Sequence, residues 1–294
     1  MMLNKSGLSI LVLNLFLLSI FSITCAATDV EFIAGGYGTN LSATELNEVI
    51  DTFNDQIHRV KSILHYDRDH WIRVSGSGLI VTPSDGYVKV DINEANKINN
   101  IDNVSGYYGG IKRRIDSKID GAVFFEGFSI KRSGELNYNL EQGPSSDNYN
   151  FERQDTDLAI DLSVNSLVGM LSFDLSKHYS LSTGGGYYLG SLNWEENTDL
   201  SRGYYDGEMV FEETIEYNVS KNAGLSGFGL KVGSSFKHSL AENLNFVVTG
   251  NYRWLHLEIN RKGEGSSYTP GLLSGYSSLN TNGLEIKIGV SFDL

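Results

Sequence analysis

Six histidines are the first place to look for chemistry in this chain: His58, His65, His70, His178, His238 and His256. A hydrolase would need one of them to take a proton from a serine while an acid orients its ring, and no Ser, His and acid set stands at a spacing that specifies such a triad. His178 and His238 fall in short predicted turns, and His256 lies near the outer end of a predicted strand. His65-Tyr66-Asp67-Arg68-Asp69-His70 gathers four metal-ligand types in six residues. Its spacing matches no zinc pattern and Arg68 adds an opposing charge, so it reads as a solvated helix end. Glu208, Glu212, Glu213 and Glu216 could hold divalent cations, but an acidic run is ordinarily a solvated face. Gly106-Tyr107-Tyr108-Gly109-Gly110 and Gly184-Gly185-Gly186-Tyr187-Tyr188 invite a phosphate-loop reading, yet neither opens a helix after a strand. Catalytic, cofactor and metal assignments are therefore all none, and the expectation is a protein that is not an enzyme.

The N-terminus points to a compartment. Lys5 is followed by an apolar run from Leu8 to Ile23, then by Thr24-Cys25-Ala26-Ala27 before the first acid, Asp29. These are the three regions of a secretory signal peptide, here residues 1–27. The core is short for a retained membrane helix, and no second apolar run of spanning length follows. The only cysteine, Cys25, falls inside this segment, so residues 28–294 can hold no disulfide. A lipid-modified Cys25 is the sharper alternative, and it lacks the small residue usual before a lipoprotein cysteine. The net charge of −13 repels phosphate backbones and argues against nucleic acid as a partner. With 32 Gly, 16 Tyr, 14 Phe and only three Pro, the composition suits many half-buried strands in one domain.

These strands must position whatever the chain carries. After a Gly-rich strand at Val30 to Gly38, Ser42 and Glu45 read as a capping box with Leu41 and Leu46 as its hydrophobic staple. Leu46, Val49, Ile50, Phe53, Ile57, Val60 and Leu64 then form one apolar stripe of a helix over 42–64. Trp71 to Thr82 and Tyr87 to Ile92 flank the turn sequence Pro83-Ser84-Asp85-Gly86, which predicts a hairpin. Helix and hairpin together make residues 40–103 an insertion after the first strand. From Val104 onward, strands alternate with three short connections and three long ones, near 132–156, 194–223 and 260–281. Pro83, Pro144 and Pro270 all fall in predicted turns or loops, as proline must. The count is eight strands, or ten if the hairpin joins the wall.

Parity separates two faces. Leu284, Ile286, Ile288, Val290, Phe292 and Leu294 alternate with Glu285, Lys287, Gly289, Ser291 and Asp293, an apolar row opposite a polar one. Phe228, Leu230, Val232 and Phe236 alternate in the same way with Gly229, Lys231, Gly233 and Ser235. In a closed sheet the polar row would face inward, which collects Lys112, Arg114, Glu126, Asp174, Lys231, Arg253, Glu285 and Lys287 as candidates for an interior polar network. One strand breaks the pattern: Leu158, Ile160, Leu162 and Val164 are apolar on even numbers, whereas Leu167, Leu171, Phe173 and Leu175 are apolar on odd ones. A β-bulge near Asn165-Ser166 would restore the alternation, and a tight turn there is the competing account. Tyr187, Trp194, Tyr252 and Trp254 suit girdles at a membrane interface.

Signal segment, alternation, short-turn and long-loop asymmetry and the terminal strand together resemble the small, porin-like β-barrel proteins of the bacterial outer membrane, over residues 28–294. The resemblance implies an all-β, antiparallel up-and-down transmembrane barrel. It also implies an integral outer-membrane location, contact with outer-membrane lipid, and assembly by the barrel-insertion machinery through the last strand. Two functions stay open. One is a non-enzymatic envelope protein anchored by lipid-facing strands, whose long loops meet surface ligands; the other is a narrow conduit for small solutes. An outer-membrane lipid- or peptide-hydrolysing enzyme stands behind both.

Overall fold

A computed structural model of the chain describes residues 30–64, 87–260 and 277–294. The signal segment, His65 to His70, the first half of the expected hairpin, Pro83 and Pro270 lie outside the described residues. The elements run β1 (Val30–Asn40), β2 (Ser42–Ala43), α1 (Thr44–Leu64), β3 (Tyr87–Asn96), β4 (Asn103–Asp116), β5 (Ile119–Ser145), β6 (Asn148–Asp174), β7 (Tyr179–Asp206), β8 (Met209–Ala241), β9 (Leu244–Asn260) and β10 (Ser278–Asp293).

β1 closes the sheet on itself. It pairs antiparallel with β4 on one side, Gly36 opposite Tyr107, and with β10 on the other, Phe32 opposite Phe292. The ring β1-β4-β5-β6-β7-β8-β9-β10 is thus a closed barrel of eight antiparallel strands, with no open edge around its lower circumference. At the seam the Leu294 N–H donates to the Val30 carbonyl at 3.0 Å. Both ends of the ring's chain lie with the three short turns that join β4 to β5, β6 to β7 and β8 to β9. β2 and β3 are extra strands outside the ring, β2 against Thr281 and Asn282 of β10 and β3 against Glu135 to Gly143 of β5.

Two of the three long connections are not loops. β5 and β6 have 27 residues each, β7 has 28 and β8 has 33, against 14 in β4 and 17 in β9. Residues 132–156 and 194–223 therefore continue the ladders, and Pro144 falls at the irregular tip between Gln142 and Ser145. The four strands rise beyond the ring as a tall sheet, with β3 added at the β5 edge. Gly207, at φ 68°, makes the turn at the β7–β8 tip and donates its N–H to the Asp147 carbonyl at 2.7 Å, tying the two tips together.

The interior of this upper sheet holds α1. Leu46, Val49, Ile50, Phe53, Ile57 and Val60 are all buried, in one cluster with Leu136, Leu140, Leu158, Ile160, Leu162, Leu192 and Trp194 from the wall. Burial of such side chains contributes roughly 1.5–3 kcal/mol each. Gly134 faces the helix without a side chain, and a Cβ there would lie 2.7 Å from the Phe53 ring. Polar ties fix the helix: Asn54 donates to the Ile98 carbonyl at 2.9 Å and accepts from its N–H at 3.0 Å, and Asn47 accepts from the Ile101 N–H at 2.7 Å. The Ser42 side chain, on which the expected capping box rests, lies outside what the structure describes. The helix starts at Thr44, directly after the two-residue strand β2, and the Glu45 carboxylate accepts from the Asn280 side-chain amide at 2.7 Å.

The parity break in β6 also has a different cause. Its pairing with β5 and with β7 runs through Asn165 and Ser166 without a register shift, so there is neither bulge nor turn. Even-numbered residues face inward along the whole strand. What changes is the surroundings: low in the barrel the interior is polar and the exterior apolar, whereas higher up the interior is the helix and the exterior carries Asp155, Asp157 and Asp161. The same exchange turns Trp194 inward, where it is 2 % exposed, so it belongs to the core and not to a girdle.

Candidate functional site

The interior is stratified along the barrel axis. At the short-turn end lies a cavity of about 480 Å³, walled on one side by hydroxyls, including Ser172, Ser180, Ser182 and Ser235, and on the other by charge. Lys112 bridges Glu31 at 3.4 Å and Asp120 at 2.8 Å, Arg114 bridges Asp120 at 2.8 Å and Asp174 at 2.6 Å, and Lys237 bridges Glu31 at 3.0 Å and Asp293 at 3.3 Å. This lower layer contains four acids and three bases.

Above it, five charged side chains meet in the middle of the lumen, all buried. Glu126 from β5 pairs with both Lys231 of β8 and Lys287 of β10. Glu285 of β10 receives Lys231 at 2.9 Å and Lys287 at 3.3 Å, with Arg253 of β9 at 3.6 Å and the Asn251 amide donating at 3.3 Å. Lys287 also lies 4.9 Å from the centroid of the Tyr108 ring and 5.3 Å from that of Phe124, placed for cation–π attraction. Room for these rings comes from glycine: a Cβ at Gly106 would lie 2.5 Å from the Tyr37 ring and one at Gly289 would lie 2.4 Å from the Tyr108 hydroxyl. Higher still the lumen becomes apolar and is filled by α1, with a cavity of about 160 Å³ left between the helix and β6 to β8.

The eight interior candidates thus fall into two groups. Glu126, Lys231, Arg253, Glu285 and Lys287 form the central layer, and Lys112, Arg114 and Asp174 belong to the layer near the short turns. Glu31, Asp120 and Lys237 complete the lower layer and were missed, although each stands on the inward parity of its own strand, and Asp293, already on the polar row of the last strand, joins them. Leu284, Ile286, Ile288, Val290, Phe292 and Leu294 all project from the outside of β10. They continue into a belt with Phe32, Tyr107, Ile111, Phe125, Leu171, Phe173, Leu181, Leu189, Phe228, Leu230, Val232, Tyr252 and Trp254 from the other seven strands.

The described histidines are scattered. His178 and His238 sit at the short-turn rim, their rings 6.4 Å apart, His256 shares a hydrogen bond with the Asn280 side chain at 2.9 Å, and His58 lies beside Lys97 on the helix's exposed side. Among the described residues no group of three His, Cys, Asp or Glu is arranged to hold a metal ion. The upper sheet carries acids on its outer face and a buried polar pair within. There the Tyr138 hydroxyl donates to Glu152 and lies 3.1 Å from the Gln154 side-chain oxygen, and burial first, then the Glu152 charge, drives it far above the ordinary tyrosine range.

No protein-family model matches the chain, and no curated protein matches it. Among solved structures it is similar to Ail, the attachment invasion locus protein of Yersinia pestis, at 9% identity and a TM-score of 0.39, covering 92% of this chain and 100% of that one. Ail in complex with the heparin analogue sucrose octasulfate is similar at 9% identity and a TM-score of 0.35, covering 90% and 99%. The outer membrane protein OprG from Pseudomonas aeruginosa is similar at 10% identity and a TM-score of 0.34, covering 91% and 96%. The barrel is established by this chain's own strand pairing, with both charge layers crossing its lumen.

Proposed function

We propose that this protein is an integral outer-membrane barrel with a closed lumen, a non-enzymatic envelope protein that holds a tall, acidic β-shell above the outer leaflet. One observation carries the reading: the outward face of the same continuous strands exchanges apolar for polar residues partway up. On β6 the outward positions are Phe173, Leu171, Gly169 and Leu167, then Asn165, Ser163, Asp161, Ala159, Asp157 and Asp155. On β8 they are Phe236, Ser234, Val232, Leu230 and Phe228, then Ser226, Gly224, Asn222, Ser220, Asn218 and Glu216. Such a reversal fits a wall that leaves hydrocarbon for water, and the apolar stretch of β7, Tyr179 to Leu189, matches the nine to eleven residues of a tilted spanning strand. Lipid is then the belt's neighbour, the last strand is what the barrel-insertion machinery takes up, and residues 1–27 are removed on export. Surface ligands would meet the shell, which replaces two of the expected loops.

The central charge layer and α1 support an anchor over a conduit, because a solute would have to displace both. In detergent the purified mature chain should show a folded band that shifts on heating, and in planar bilayers it should give no unitary openings. A chain that stays soluble without detergent would sink the membrane assignment, while stable openings would sink the closed lumen.

A further inference from the structure

The central layer does not balance. Among the described residues it contains three cations, Lys231, Arg253 and Lys287, against two carboxylates, Glu126 and Glu285. Both lysines are served by charge-assisted contacts to the two acids. Arg253 is left over. It is 0 % exposed, its nearest carboxylate oxygen is at 3.6 Å, and its Nε, Nη1 and Nη2 atoms have no hydrogen-bond acceptor. Its guanidinium carbon lies 5.5 Å from the centroid of the Phe128 ring, a contact that leaves the N–H edges unused. Arginine keeps its charge even when buried, so the guanidinium itself cannot be neutralised by losing a proton.

The neighbouring unused groups are three hydroxyls, each able to donate, and one acceptor, the Asn251 side-chain oxygen, two residues along β9. Tyr188 Oη, Thr39 Oγ1 and Thr281 Oγ1 are at most 3 % exposed and have no partner in the structure. The pairing brings their strands to one level: Thr39 stands opposite Glu285, Arg253 stands opposite Gly283, and Thr281 is the next inward position on β10. β10 thus presents no side chain beside the guanidinium. The lower layer's acids are paired with Lys112, Arg114 and Lys237, and Glu126 and Glu285 are already shared between the lysines.

We propose that the lumen holds a small inorganic anion of the halide class, bound by the Arg253 guanidinium and the hydroxyls of Tyr188, Thr39 and Thr281. A water molecule could accept from the same donors, but it brings no negative charge, and charge is what the five-residue layer lacks. The anion would be structural, seated between the ion pairs and the helix.

Bromide tests this directly. Crystals of the detergent-solubilised protein grown in bromide should show an anomalous peak within hydrogen-bond reach of the Arg253 guanidinium; density for water alone there overturns the proposal. In solution, chloride should raise the unfolding temperature saturably, by about 2–4 °C once it exceeds its dissociation constant several-fold, where gluconate at equal ionic strength does not. Identical responses to the two salts overturn it. The chloride response should survive Arg114→Gln and disappear in Arg253→Gln, and its persistence in the latter would place the anion elsewhere. If Arg253→Gln does not fold, the bromide map and the wild-type salt comparison decide between the outcomes.

Discussion

Glu126 bridges three strands of the barrel, because one carboxylate from β5 reaches Lys231 on β8 and Lys287 on β10. Its position spans the lumen. Replacing it with Gln leaves three buried cations facing Glu285 alone, and breaking a buried ion pair from one side costs about 3–5 kcal/mol. Urea unfolding of Glu126→Gln in lipid vesicles should show a loss of that order, while Asp174→Asn, at the half-exposed rim of the lower layer, should lose far less. At this scale the sequence was informative wherever alternation was clean. Parity alone placed Glu285, Lys287 and Lys231 on inward rows. It could not say which charges meet, since that depends on strand registers, and it passed over Glu31, Asp120 and Lys237, which stand near strand ends where the alternation is short. Trp194 misled for another reason: an aromatic near a strand's end suits an interface girdle and a core equally, and only its even number in β7 separates the two.

The upper sheet is the element whose nature was hardest to read. Its polar, tyrosine-rich stretches have loop composition, yet Leu136, Tyr138 and Leu140 keep a period of two, the inward face of a wall whose outward face is water. The β6 parity switch was legible but ambiguous, because a bulge and a change of environment leave the same pattern of apolar residues. Only the unbroken pairing of 165 and 166 with both neighbours distinguishes them. That outward face is also self-repelling. Asp155 stands opposite Asp199, which stands opposite Glu216, and like charges directly opposed weaken a sheet. Asp157 titrates above the ordinary aspartate range, through its partial burial first and then the charges of Asp155 and Glu135. A carboxyl whose folded pKa is raised favours the fold while protonated, below the unfolded value near 4, and that advantage is lost as pH rises through the folded value. Asp157→Asn should therefore raise the unfolding temperature at pH 7, with the gain shrinking below about pH 4 and in high salt. A gain independent of pH would show that repulsion is not its source.

For the molecule as a whole, the decisive property is the height at which its surroundings change. Leu171 and Ala159 lie on the same outward face of β6, separated by 12 residues of unbroken strand. A soluble barrel would present both to water, and arginine at either would be tolerated. In the arrangement proposed here Leu171 lies within the apolar belt and Ala159 lies above it, opposite Ser133 of β5 and Glu195 of β7. Leu171→Arg should then cost about 2–4 kcal/mol if it sits near the bilayer midplane, and less the closer it lies to the interface. Ala159→Arg should be neutral or slightly stabilising, since the guanidinium gains Glu195 as a neighbour. Reversible unfolding of both variants in vesicles measures the difference. Equal effects would mean that β6 meets one solvent along its length, which would remove the reason for its reversed outer face. A large asymmetry in favour of Ala159→Arg would set the upper limit of the hydrocarbon between these two residues, and by the β6–β7 register between Thr183 and Glu195 on the next strand.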